Sequence, residues 1–359
     1  MVSAAHFDAI LWFVSLTGIA VFSLTLLMVF RIVWLRFSHN SRARREKKFL
    51  ELWRPLMMSG ISGSETGYPP LRMDDAEFFL DLWNHLHESV KGPAKSRLNN
   101  LAVRCGMAAH AHALLHRSGL RPRLMALITL GNLRENSAWS DILPLAKKPD
   151  TILSFTALGA LLRINANAAL GELKMQLVDR TDWPTAQLAI LIQESGAMAS
   201  TFELVDAALQ LSGSTRPEDI RKLQRLLRIF VVVPTHLKLP AVRTILSSAT
   251  DSELIAQCLK YLCEPEDLPC IRTYAEHPVW FVRLQAAHAL GRIGATSDLP
   301  LLQKLLRDPV WDVRHRSADA IVALMRKDGK ALAGLLATLT DPFARDMLTM
   351  SMAESRVAQ

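Results

Sequence analysis

Three histidines close together, His110, His112 and His116 in HAHALLH, are the first residues whose types suggest chemistry, because imidazole nitrogens bind transition metals. On a helix His112 and His116 share a face, but His110 stands about 200° from His112, and no glutamate completes an H-E-x-x-H pattern. The three do not form a tetrahedral ligand set by themselves. His85 and His87, two residues apart, face different ways. Cys105, Cys258, Cys263 and Cys270 form neither a C-x-x-C pair nor the spacing of a structural zinc site, and the helical spacing of Cys258 and Leu262 reads them as small core residues. Asp74, Asp75, Glu77 and Asp81 resemble an acid–base pair by number alone, and helix capping accounts for them. There is no G-x-S-x-G, no phosphate loop and no G-x-G-x-x-G. The residues thus assign no catalytic group, metal or cofactor.

What the sequence does contain is a repeat. His277 to Leu290 reads HPVWFVRLQAAHAL and Asp308 to Ile321 reads DPVWDVRHRSADAI, an offset of 31 that keeps Pro, Val, Trp, Val, Arg and Ala in register. Leu268-Pro269 and Leu299-Pro300 recur at the same offset, with proline in the first helical turn where its missing N–H costs nothing. The spacing predicts a first helix over 268–276 and a second over 279–293, then 299–307 and 310–325. Each pair is an antiparallel hairpin. Upstream, PRLMALITLGNL and DTILSFTALGAL align with a shift of 28, and apolar residues at three and four spacing recur from residue 75 onward between short turns. Six or seven hairpins are expected, with no strand. A unit this short cannot bury its apolar face alone, so it must stack on like neighbours, which leaves an extended surface suited to holding a partner. The small residues Ala286, Ala287, Ala289, Gly291, Ala318 and Ala320 let the stacked helices approach closely.

These residues resemble the HEAT repeat family in its bacterial, phycobilisome-lyase-like variety. DPVWDVRHRSADAIVAL with LPLLQKLLR before it, and LPCIRTYAEHPVWFVRLQAAHALGRIG upstream, carry the resemblance. It implies an all-α fold: a right-handed α-solenoid of antiparallel helix hairpins, HEAT/armadillo-like, over residues 75–352. It also implies a ladder between neighbouring repeats, made by the Asp that opens the second helix and the Arg six residues later, which Asp308 and Arg314 match. The upstream repeat has Arg283 but His277 for the Asp; the downstream DPFARDM has Asp341 but Met347 where Arg is expected. The ladder is therefore expected to be partial, with a cap at the C-terminal end. Some relatives of this type attach or isomerise a chromophore, so a lyase, isomerase or cofactor-handling role stays open beside a binding role.

At the other end, Ile10 to Phe30 is free of charge and as a helix spans roughly 30 Å, the thickness of a bilayer core. His6 and Asp8 precede it and Arg31 follows, which reads as an uncleaved anchor and not a cleaved leader. Trp12 and Trp34 stand near its two ends. Residues 31–48 hold seven basic side chains against Glu46, whereas the whole chain is only +8. Those seven, Arg31, Arg36, Arg42, Arg44, Arg45, Lys47 and Lys48, suit anionic lipid headgroups better than nucleic acid, which would need basic residues on every repeat. The expected organisation is an extracytoplasmic segment 1–9, a transmembrane helix 10–30, a basic segment 31–53, a linker 54–74, the solenoid 75–352 and a tail 353–359. The excess of arginine and lysine after the span puts the body on the cytoplasmic side of a bacterial inner membrane.

The candidate partner-binding residues are Trp280 and Trp311 at equivalent turns, Arg283 and Arg314 beside them, and the basic stripe Arg221, Arg225 and Arg228. The expected function is a membrane-anchored adaptor or scaffold for a membrane enzyme or a secretion or signalling component. Lipid or nucleic-acid binding is the further alternative.

Overall fold

Every element among the described residues is helical or a 3-10 turn, as the three-and-four spacing predicts. The computed structural model describes residues 3–63, 67–196, 201–326 and 329–357, which divide into two units at Ala138 and Trp139.

In the first unit α1 (Ser3–Ser62) is followed by α2 (Ala76–Ser89), α3 (Pro93–Arg104), α4 (Met107–Leu115) and α5 (Leu120–Leu133). The stretch Leu16–Trp34 of α1 has a mean hydropathy of 2.2 and none of it is buried, so it is long and apolar enough to cross a membrane. Further along the same helix Phe49, Trp53 and Met57 are buried. Phe49 stacks on Trp53 and meets Phe78 of α2, and the Trp53 ring stands edge-on to Phe79 at 5.0 Å.

This packing corrects the expected linker. Residues 54–62 continue α1 through Pro55, because burying Trp53 and Met57 outweighs the local signals of Gly, Ser and Pro. Gly60 lets the helix approach Tyr68 and Leu101 so closely that an added Cβ would stand 2.7 Å from the Tyr68 hydroxyl. The expected tail is likewise helical as far as Val357. Residues 1–2 of the expected N-terminal segment, 64–66 of the linker and 358–359 of the tail lie outside the described residues.

The second unit begins with α6 (Trp139–Ala146) and α7 (Thr151–Asp179). Asn165 breaks α7 with φ −149° and ψ 94°, and its side-chain oxygen caps the second half by accepting the Ala168 N–H. By length and composition α7 could also span a membrane, but half of it is buried within the unit. Then come α8 (Thr185–Ser195), α9 (Phe202–Leu211), α10 (Pro217–Ile229), α11 (Thr235–Ser248) and α12 (Ser252–Leu259). The last hairpins are α13 (Leu268–Tyr274) with α14 (Trp280–Ile293), α15 (Leu299–Leu305) with α16 (Trp311–Leu324), and α17 (Gly329–Thr338) with α18 (Pro342–Val357). The even-numbered helices from α8 to α18 pack each on the next, while α7, α9 and α11 follow one another in a second layer.

A close approach of two helices falls where the small residues are. Gly291 of α14 faces α16 so tightly that a Cβ there would lie 2.9 Å from both Cα and Cβ of Ala320. Gly291→Val should therefore lower stability by about 2 kcal/mol, since the neighbour is main chain and cannot swing aside. Thermal unfolding followed by circular dichroism checks this, and an unchanged melting temperature would contradict the close packing.

Candidate functional site

Helices α14 and α16 each open on an exposed aromatic residue. Val279 and Val310, in extended conformation, precede α14 and α16 and turn Trp280 and Trp311 outward, 41% and 47% exposed. Phe281 follows Trp280 with its ring at 83° and 5.7 Å, and Trp311 meets the His315 ring edge-on at 4.9 Å. At the next interval of 31 stands Pro342, with Phe343, 68% exposed, one position later. Trp280 and Trp311 thus occupy equivalent positions at the starts of α14 and α16, and Phe343 adds an exposed ring near the start of α18, one position out of that register.

Beside that row the arginines act inside the fold. Arg283 donates from Nε to Asp308 Oδ2 (2.7 Å) and from Nη2 to Asp308 Oδ1 (2.9 Å), while Nη1 reaches the carbonyls of His277 and Pro278. Asp308 also accepts the Val310 N–H at 2.9 Å. Burial pushes the Asp308 carboxyl up, but the Arg283 fork, the Val310 N–H and nearby guanidinium charge together hold it below its ordinary value. Arg283 is therefore a rung between neighbouring hairpins, not a surface contact: its side chain is 14% exposed and that of Asp308 5%.

Arg314 repeats half of this arrangement. Its Nη1 donates to the carbonyls of Asp308 and Pro309, as Arg283 does one repeat earlier. Arg345 follows in turn, donating to the Leu339 carbonyl at 2.6 Å. The register is thus 283, 314 and 345, which places Leu339, not Asp341, at the position of Asp308. Asp341 instead sits where Val310 does, its carbonyl accepting the Arg345 N–H. The expected pairing of Asp341 with position 347 is corrected by two residues. With leucine in the acidic place, Nε of Arg314 is buried without a hydrogen-bond partner among the described residues.

A second ladder joins the first helices. Arg243 of α11 pairs with Asp267 and Glu264, and Arg272 of α13 pairs with Asp298, each at 2.6 to 2.7 Å. Asp267 and Asp298 are buried and accept backbone N–H groups where the 3-10 turns before α13 and α15 begin. Arg225, expected on a solvated stripe, is buried instead. It donates to the carbonyls of Leu177, Thr181 and Trp183, and burial pulls its guanidinium below the ordinary value. Arg221 and Arg228 stay exposed, with Arg228 3.3 Å from Glu253. Between α10, α12 and α14 lies a groove of about 370 Å³ that includes Arg228, Lys260, Tyr261 and Phe281.

In the first unit the basic segment is divided. Arg42 pairs with Glu77, which also holds Arg117 at 3.2 Å, and Arg45 pairs with Asp75 at 2.9 Å and Asp74 at 3.5 Å. The acidic start of α2 therefore receives arginines of α1 instead of capping its own helix. Arg31, Arg36, Arg44, Lys47 and Lys48 are exposed.

The sequence's other candidates for chemistry separate. His110 bonds the Gly106 carbonyl, while His112 Nε2 lies 3.2 Å from the Ser137 hydroxyl. Ser137 in turn donates to Glu135 at 2.6 Å, so this carboxylate bonds the serine, whereas a nucleophile–base relay needs it on the imidazole. Cys258 is buried and its thiol is pushed up to about 12, whereas Cys263 and Cys270 are exposed and not core residues. A group that sequence reasoning missed is His315, Asp319 and Glu354. The i,i+4 spacing of the first two was visible, but the third arrives from α18.

Comparison with known proteins agrees with this geometry over part of the chain. Residues 239–322, from α11 through α16, match the HEAT-repeat family. Among solved structures, the crystal structure of an engineered protein from a structural genomics consortium is 19% identical, over 78% of this chain and 85% of that one, with a TM-score of 0.35. No curated protein matches.

The ladder has a pH signature. Because Asp298 and Asp308 are held below an unfolded carboxyl value of about 3.9, their stabilisation is complete above that pH and is lost as pH falls through the lower folded values. Asp308→Ala should cost about 3 kcal/mol near neutrality, as expected for breaking a buried pair. It should also flatten the loss of melting temperature on acidification. Thermal melts from pH 7 to pH 3 test both, and an unaltered acid limb would remove the ladder from the account.

Proposed function

We propose that this chain is a membrane-anchored HEAT-repeat adaptor that holds a protein partner along the edge carrying Trp280, Trp311 and Phe343. The supporting observation is the exposed aromatic row itself, because indoles kept in register at the water-facing start of successive helices are costly to leave uncovered and are enriched where partners bind.

Anchoring rests on the exposed apolar stretch Leu16–Trp34 and on the basic residues after it. In this reading Arg31, Arg36, Arg44, Lys47 and Lys48 contact anionic headgroups, while Arg42 and Arg45 serve the first unit. The body lies on the cytoplasmic side of a bacterial inner membrane. Confinement to that layer raises the effective concentration for a membrane-bound client such as an enzyme or a secretion or signalling component.

The full chain purified in mild detergent, with bound proteins identified by mass spectrometry, provides the test. A stoichiometric membrane protein should remain bound to the native chain and to a form carrying an unrelated anchor. Trp280→Ala with Trp311→Ala should weaken that binding about thirtyfold, the loss of one interface hot spot of about 2 kcal/mol. No bound protein, or one that the double variant retains unchanged, defeats the proposal.

A further inference from the structure

His315 and Asp319 stand one turn apart on α16, and Glu354 reaches them from α18, so that one ligand atom from each lies within 4.8 Å of the other two. The Nδ1 atom of His315 is 3.3 Å from Asp319 Oδ2 and its Nε2 atom is 3.8 Å from Glu354 Oε2. Ser351, also on α18, donates to Asp319 Oδ1 at 2.8 Å, which leaves Oδ2 turned to the histidine. The Trp311 ring packs against the imidazole and limits its rotation. These are the parts of a metal site: a nitrogen and two carboxylate oxygens, with a hydrogen bond orienting one of the carboxylates.

The α16–α18 junction also lacks what the α14–α16 junction has. There Arg283 grips Asp308 with two hydrogen bonds; here the corresponding acid is Leu339 and Nε of Arg314 has no partner among the described residues. The geometry points to a divalent transition ion of the zinc class bound by His315, Asp319 and Glu354, cross-linking the last helix to its neighbour where the arginine ladder ends. One imidazole nitrogen and two carboxylate oxygens suit such an ion better than calcium or magnesium, which favour oxygen ligands. In a tetrahedron with bonds of about 2.1 Å the ligand atoms stand about 3.4 Å apart, so rotation of the half-exposed Glu354 side chain closes the set and leaves the fourth position to water. The opposing group is Arg316, whose Nη1 lies 3.5 Å from Asp319 Oδ2 and must yield to the ion.

The test uses the full chain in detergent, stripped with a chelator and titrated with Co²⁺, whose visible absorption reports tetrahedral nitrogen and oxygen ligation, followed by displacement with Zn²⁺. One saturable equivalent is expected. His315→Ala should weaken it at least a hundredfold, and Glu354→Gln and Ser351→Ala about tenfold or more each. Glu354→Gln alters a half-exposed side chain, so it keeps the test valid if the variants at buried positions fold poorly, which circular dichroism would detect. Absence of a saturable equivalent, or one that Glu354→Gln and Ser351→Ala leave unchanged, overturns the site.

Discussion

A helix that ends inside a stack leaves its last carbonyls without intrahelical partners, and in the second unit the following hairpins bring the donors. Arg180 reaches the carbonyls of Lys148 and Pro149 after α6. Arg225 does the same after α7, and Arg292 after α12 at Leu259 and Leu262. The Tyr261 hydroxyl supplies the donor for Leu227 near the end of α10. Guanidinium suits this work because it stays charged when partly buried and offers several N–H groups in one plane. Satisfying these carbonyls from the next hairpin makes each hairpin incomplete by itself, which is the reason the repeats must stack in order.

The aspartates add direction to that constraint. Asp267, Asp298 and Asp308 each accept backbone N–H groups at the start of their own hairpin or helix and a guanidinium from the preceding one. One buried carboxylate thereby fixes both a turn and a neighbour. When the series reaches Leu339 the turn is still made but the neighbour is no longer gripped by a carboxylate. The two indoles follow the same period because they are set by the same turns, with the Pro–Val step before each helix aiming the next side chain outward.

Much of this was legible in the residues. The hairpins α13–α14 and α15–α16 fall within a few residues of the boundaries expected from Pro269, Pro300, Trp280 and Trp311, because those residues act locally. Three readings failed where tertiary contact overrode local pattern. Asp341-Pro342 imitates Asp308-Pro309 and drew the ladder two residues out of place, although the arginines at 314 and 345 keep the period. Arg225 has the spacing of a surface stripe, but the carbonyls it serves belong to α7, far upstream. Residues 54–62 have a linker's composition, yet Trp53 and Met57 hold them in a helix. The grouping of His315 and Asp319 with Glu354 depends on how α18 lies on α16, which no spacing within either helix reveals.

The continuity of α1 makes its length a phase setting. Because the apolar stretch and the buried Phe49 and Trp53 belong to one helix, they keep a fixed angle about its axis and a separation of roughly 22 Å between Trp34 and Phe49. Each residue gained or lost between them turns the first unit by about 100° and moves it by about 1.5 Å relative to that stretch. With the stretch held in a bilayer, the number of residues in the basic segment decides which side of the first unit faces the lipid and which faces away.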